Sequence, residues 1–202
     1  MRCTPSAIIR PSQQRVETRY KKGDTADIMA VILEADAQAD SFIDPNGVQC
    51  LVGANDYETA RNVWAFVRRS IRYRADRSGL ERVQSPGALF ASKVGDCKSL
   101  SISTAAILRA LGFQGIRYRF TSYAPGNYSH VYVMTRVGGR DVILDTVHTR
   151  FDEEVAYRKK KDIAAARVSG ISGHAMRGDI SNTIGLLGLG LAAFIIYSLT
   201  TD

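Results

Sequence analysis

Three residues near the middle of the chain, Cys97, His130 and Asp145, have the side-chain types and the order that nucleophilic acyl transfer needs. Cys97 follows Val94-Gly95-Asp96 and precedes a helical pattern, so its sulfur sits where unpaired N–H groups and the helix dipole favour an anion. A thiolate nucleophile also needs a base, itself oriented by a third group. The chain offers His130, His148 and His174 for that base. His130 opens one β-forming run, Asp145 closes the next, and Gly138-Gly139 between them reads as a hairpin turn. Pairing about that turn sets opposite one another residues whose numbers sum to about 277. His130 then faces the neighbourhood of Val147, and Asp145 lies one diagonal step away on the same face. His148 lies past Asp145 and fits this pairing less well, and His174 falls in a Gly- and Ser-rich stretch. A lone cysteine at a helix start is more often a small buried residue than a nucleophile. The ordered set of three is what favours chemistry over packing.

The elements that must position these groups are helices first and an antiparallel sheet second, an α+β arrangement. Asp24 or Thr25 can cap a helix carrying Ile28, Ile32 and Ala35, ending before the turn Asp44-Pro45-Asn46-Gly47. Asp56 can cap a second, whose Ala60, Val63, Trp64, Val67 and Ile71 form one apolar stripe. Arg61, Arg68, Arg69 and Arg72 lie mostly off the stripe and read as a solvated face. Ser85-Pro86-Gly87 breaks the pattern. A third helix, from Lys98 to a Gly112 C-cap, shows Leu100, Ser103, Thr104, Ile107, Leu108 and Leu111, a face narrow enough for close burial. Three β-forming runs follow, Gly115–Ser122, His130–Arg136 and Asp141–Val147. Glu153–Arg167 reads as a polar helix and Ser169–Gly178 as a linker.

Together these motifs resemble the transglutaminase-like cysteine peptidase core. The resemblance rests on Gly95-Asp96-Cys97-Lys98, Ala105 through Phe113, His130-Val131-Tyr132-Val133 and Val142 through Thr146, preceded by Trp64-Ala65-Phe66 and Ile71 through Asp76. It covers about residues 56–148. It implies a papain-like α+β core with the nucleophile at the start of a buried helix packed on an antiparallel sheet. It also implies Cys97 as nucleophile, His130 as general base and then acid, and Asp145 as the group orienting the imidazole. The bond attacked would be a peptide or carboxamide, passing through a thioester; water as acceptor gives hydrolysis and an amine gives cross-linking. Hydrolysis of a peptide or protein substrate is the first expectation, with no cofactor and no metal. Tyr132 stands where the family often has Trp, Ser99 and Ser101 where an acid and an alanine are common, and Thr146 where Pro or an acid is common. These departures bear on specificity. The Cys97 N–H is the natural oxyanion donor, and Gln84 is the candidate for a second.

Composition sets the frame. Among 202 residues, 45% are apolar and 23% charged, which excludes a disordered or fibrous chain. The net charge of +7 is unevenly spread: residues 1–22 hold six basic residues against Glu17 alone. That segment reads as a basic arm, residues 23–150 as the catalytic domain, 151–179 as polar helix and linker, and 180–201 as a hydrophobic tail. The tail has 22 uncharged residues, about 33 Å as a helix against a bilayer core of ~30 Å. Basic residues upstream of it favour a cytoplasmic catalytic domain, and the arm and Arg158–Lys161 could lie on anionic lipid. Nucleic acid is the competing partner for the arm, without an accompanying motif. Cys3, Cys50 and Cys97 are odd in number and widely spaced, so no disulfide framework or zinc site is expected. Cys3 and Cys50 read as structural, in a reducing compartment. The rival to an enzyme is a non-catalytic structural, virion or membrane protein that has kept the fold.

Overall fold

A computed structural model describes residues 3–10, 17–21, 25–77 and 80–165. Its helices are α1 (Pro5–Ile8), α2 (Thr25–Ala39), α3 (Asp56–Ser70), α4 (Pro86–Ser92) and α5 (Cys97–Ala110). Its strands are β1 (Glu17–Lys21), β2 (Arg72–Tyr73), β3 (Leu80–Gln84), β4 (Val94–Gly95), β5 (Arg117–Ser122), β6 (His130–Val137), β7 (Arg140–Leu144) and β8 (Lys159–Ala164). The antiparallel sheet runs β7-β6-β5-β8, and two short pairs, β1 with β3 and β2 with β4, flank it.

α5 is the centre of the molecule. Its residues from Lys98 to Leu108 are all buried, because Ser99, Ser101, Ser103, Ala105 and Ala106 let α2, α3 and β6 approach closely on different sides. α3 buries Ala60, Val63, Phe66 and Val67 on the stripe side, and Asn55 rather than Asp56 caps it, accepting from Glu58 N at 2.9 Å. α2 is clamped to α5 by Arg109, whose guanidinium donates to Asp36 Oδ1 at 2.7 Å and to Asp40 Oδ1 at 2.8 Å. The expected hairpin is present: Val133 pairs with Leu144 and Met134 with Ile143, the register expected about Gly138-Gly139. Both glycines have positive φ, 56° and 81°, as a two-residue turn of this hand requires.

Four expectations are corrected. Ser85-Pro86 does not merely break structure: Ser85 Oγ accepts from Ala88 N at 3.2 Å and Pro86 opens α4, a Ser cap followed by Pro in the first turn. Residues 159–164 are strand β8, not polar helix. Helix-forming Lys and Ala gave the wrong signal, and the open edge of β5 won, with Ile163 opposite Tyr118 and Asp162 opposite Arg119. The core domain therefore runs beyond residue 150. Nor is the amino-terminal segment a free arm where it is described. Ile8 and Ile9 are buried, Ile9 bridges to Ile43, and β1 pairs with β3. Finally, Cys3 and Cys50 form a disulfide, with Cα atoms 5.6 Å apart, where none was expected. Their 47-residue separation hid the pairing, which depends on α1 packing beside the 3-10 turn Gly47–Leu51. The linker with His174 and the tail at 180–201 lie outside the described residues. Among the described residues no helix is long and apolar enough to cross a membrane.

Candidate active site

Asp96 follows the short strand β4 and caps α5: its Oδ1 accepts from Ser99 N at 3.2 Å and from Ser99 Oγ at 3.1 Å. Cys97 is thereby fixed as the first residue of the helix, half-buried, with its N–H among those left free of helical partners. Gly95 permits this approach, because a Cβ there would meet Leu89 Cδ1 at 2.3 Å and force that side chain to shift. Gln84 closes the loop from behind: its N–H donates to Ser99 Oγ at 3.1 Å.

His130 opens β6, and its Nε2 lies 2.8 Å from Asp145 Oδ2. Asp145 is held in turn. Its Oδ1 accepts from Val147 N at 3.0 Å and His148 N at 3.3 Å, and its backbone carbonyl accepts from Trp64 Nε1 at 2.8 Å. With Nε2 committed to Asp145, Nδ1 is the ring nitrogen left for the thiol. Burial works against a charged imidazole here, but hydrogen bonds and charge from Asp145 and Cys97 outweigh it and push the His130 pKa up to about 10. The imidazolium form of His130 is the state this environment favours.

Cys97 and His130 line an open cleft of about 210 Å³. Ile28, Phe120 and Val131 give it apolar wall, and Tyr73, Tyr128 and Asp76 add polar groups. Tyr73 and Tyr123 are 44% and 40% exposed, among the few exposed large hydrophobic side chains of the described residues. Burial, with the nearby Cys97 and Asp96, raises the Tyr73 hydroxyl pKa. The Tyr123 ring lies tilted at 6.1 Å from the His130 ring, and that of Tyr132 on β6 at 5.6 Å. The Tyr132 hydroxyl donates to Glu154, which also takes Arg119 at 2.6 Å.

The structure thus places Cys97 and His130 on one cleft, with Asp145 hydrogen-bonded to His130, and sets Gln84 apart. The Gln84 side chain is buried, donates to Ser92 Oγ at 3.2 Å and does not line the cleft. His148 is turned to the backbone of Arg150. Trp64, Tyr73 and Tyr123 are site residues that sequence reasoning did not assign. Trp64 carried a signal, being the one polar-tipped aromatic on an apolar stripe; the two tyrosines carried none.

A family model for the transglutaminase-like superfamily matches residues 51–146. The matched span holds Cys97, His130 and Asp145. Residues 51–146 are thus similar to the transglutaminase-like core. A candidate cysteine protease from Cytophaga hutchinsonii is similar in structure at 17% identity and TM-score 0.36, over 61% of this chain and 39% of that one. The chain thus spans about two fifths of that protein's length. Calcium-bound LapG of Legionella pneumophila is similar at 17% identity and TM-score 0.48, over 74% and 79% of the two chains. A further structure of Legionella pneumophila LapG gives 15% identity and TM-score 0.46, over 75% and 88%. No match was found among curated proteins. The matched span begins in the 3-10 turn before α3 and ends beside Asp145, so β8 and the residues before 51 lie outside it.

Proposed function

We propose that this chain is a thiol hydrolase that cleaves a peptide or amide bond of a peptide or protein substrate. The observation carrying this reading is the 2.8 Å contact of His130 Nε2 with Asp145 at a cleft that Cys97 also lines. Cys97 Sγ adds to the carbonyl carbon, while the developing oxyanion takes the Cys97 N–H at the helix start. His130 gives its proton to the leaving amine as the thioester forms. It then takes a proton from water, whose oxygen attacks the thioester and releases the acid and the thiol. Asp145 keeps the imidazole in the orientation and tautomer these transfers need. The exposed Tyr73 in the cleft and Tyr123 beside the His130 ring suit an extended peptide lying across the cleft. The 22 uncharged residues of 180–201 supply a membrane tether to the catalytic domain. Deleting them should move the protein from the membrane to the soluble fraction in a flotation assay, and continued flotation would exclude a tether there.

The chemistry is tested with a peptide library and mass spectrometry of the products. Wild-type protein should cleave, and Cys97→Ala should lose at least about 10³-fold in rate. Undiminished cleavage by that variant overturns the reading. Products joined through an isopeptide bond would show amine rather than water as acceptor. No product, with Cys97 alkylated no faster than a model thiol, would leave a scaffold that has kept the fold.

A further inference from the structure

Three carboxylates converge on the cleft wall beside Cys97. One oxygen from each of Asp76, Glu81 and Asp96 lies within 4.8 Å of the others, a spacing that suits an oxygen-ligated cation. The cation among them is the chain's own. Lys98 Nζ is 2.6 Å from Glu81 Oε2 and 3.2 Å from Asp76 Oδ2, and it also contacts Asp96 Oδ2. Lys98 directly follows the nucleophile and is 6% exposed, a burial that an ammonium tolerates only when paired. Burial disfavours its charge, but Asp96, Cys97 and Glu81 hold its pKa well above the ordinary value.

The three acids come from three separate stretches: the segment leaving β2, strand β3, and the cap of α5. Each has a second attachment or task. Asp76 Oδ2 accepts from Arg82 N at 2.6 Å, β3 pairs with β1, and Asp96 Oδ1 caps α5 while its Oδ2 takes Lys98. Removal of the ammonium would leave three anions facing one another at the point where Cys97 is set. We propose that Lys98 is a built-in cation, a positioning residue that ties these three stretches into one cleft wall and so fixes the Cys97 sulfur and N–H without a divalent ion. This inference rests on the reading of Cys97 as nucleophile.

The test uses the full chain with the Cys3–Cys50 disulfide intact, so that Cys97 is the free thiol. Wild type and Lys98→Met, of similar length but uncharged, are compared in EDTA and in CaCl2. Three readouts are taken: the rate of Cys97 alkylation by iodoacetamide, the ultraviolet absorbance of the thiolate, and Tm. Wild type should give the same values in both. Lys98→Met should react about tenfold slower in EDTA, equivalent to about 1.4 kcal/mol in the barrier. CaCl2 should raise its Tm and recover part of the rate and of the thiolate signal. Wild-type rate in the variant, or no response of its Tm to CaCl2, overturns the proposal, as does a wild-type protein that itself requires CaCl2. Glu81→Gln, which keeps Lys98 paired with two acids, should retain cation-independent alkylation if Lys98→Met melts too low to assay; calcium dependence in Glu81→Gln counts against it. Failure of the nucleophile reading is distinguishable: wild-type Cys97 would then alkylate like a model thiol, whereas the Tm response of Lys98→Met would be unchanged.

Discussion

The hydrogen bond between His130 Nε2 and Asp145 determines what the rest of the site can do, since it leaves one ring nitrogen for the sulfur. Replacing Asp145 by Asn keeps the shape but removes the charge and the tautomer control, so kcat should fall by about 10²–10⁴-fold with a smaller change in KM. Steady-state kinetics on a cleaved peptide would show it, and an unchanged kcat would remove Asp145 from the mechanism. The imidazole also links folding to pH. Its pKa is raised from 6.5 to about 10 on folding, so the native state keeps a proton that the unfolded chain releases. The stability this contributes is complete below about pH 6.5 and is lost as pH rises through about 10. Urea midpoints of wild type and His130→Gln should therefore converge between those values, and a constant gap would refute the linkage. The nearness of His130 and Asp145 was legible because a glycine hairpin fixes both register and face. Gln84 was misjudged because nearness in sequence to Cys97 says nothing of direction: its backbone braces Ser99 while its amide turns to Ser92.

α5 shows at the scale of elements why a small-residue face was readable and its neighbours less so. Serines and alanines at close spacing announced a helix buried on several sides, and the apolar stripe of α3 announced its packing face. Helix propensity then misread residues 159–164, where the lysines project from an edge strand. Strand edges are commonly guarded by lysine, so the same composition fits either element, and only the unfilled edge of β5 decides. The clamp between α2 and α5 was also invisible, because Asp36, Asp40 and Arg109 are far apart in sequence and each suits a solvated helix face. Arg109→Met should destabilise the protein by about 3–5 kcal/mol, since it strips the guanidinium from buried Asp36. Chemical denaturation would measure this, and a loss below about 1 kcal/mol would mean that the clamp contributes no more than a surface pair.

On the scale of the whole molecule, the charge of +7 and the amino-terminal basic segment suggested an appendage with a partner of its own. Where it is described, that segment is instead built into the core through Ile8, Ile9 and the Cys3–Cys50 bridge. The bridge closes a 47-residue loop, and α2 lies inside that loop. α2 also brings Thr25 and Ile28 to the cleft, so the bridge is tied to the site through one helix. Besides the packing of its buried Met29 and Ile32, α2 is held by one covalent, distant attachment and by the Arg109 ion cluster on α5. Loop-closure entropy for this length gives about 4 kcal/mol, an upper figure because native contacts of α1 persist without the bond. Cys3→Ser should accordingly lower stability by about 2–4 kcal/mol. Because Arg109 still pins the far end of α2, the loss should be concentrated at the near end, where Thr25 and Ile28 meet the cleft. Hydrogen exchange should therefore quicken in the first turns of α2 while β5, β6 and β7 keep their protection. Uniform quickening across the sheet would mean that the bridge stabilises the whole fold rather than the helix that roofs the site.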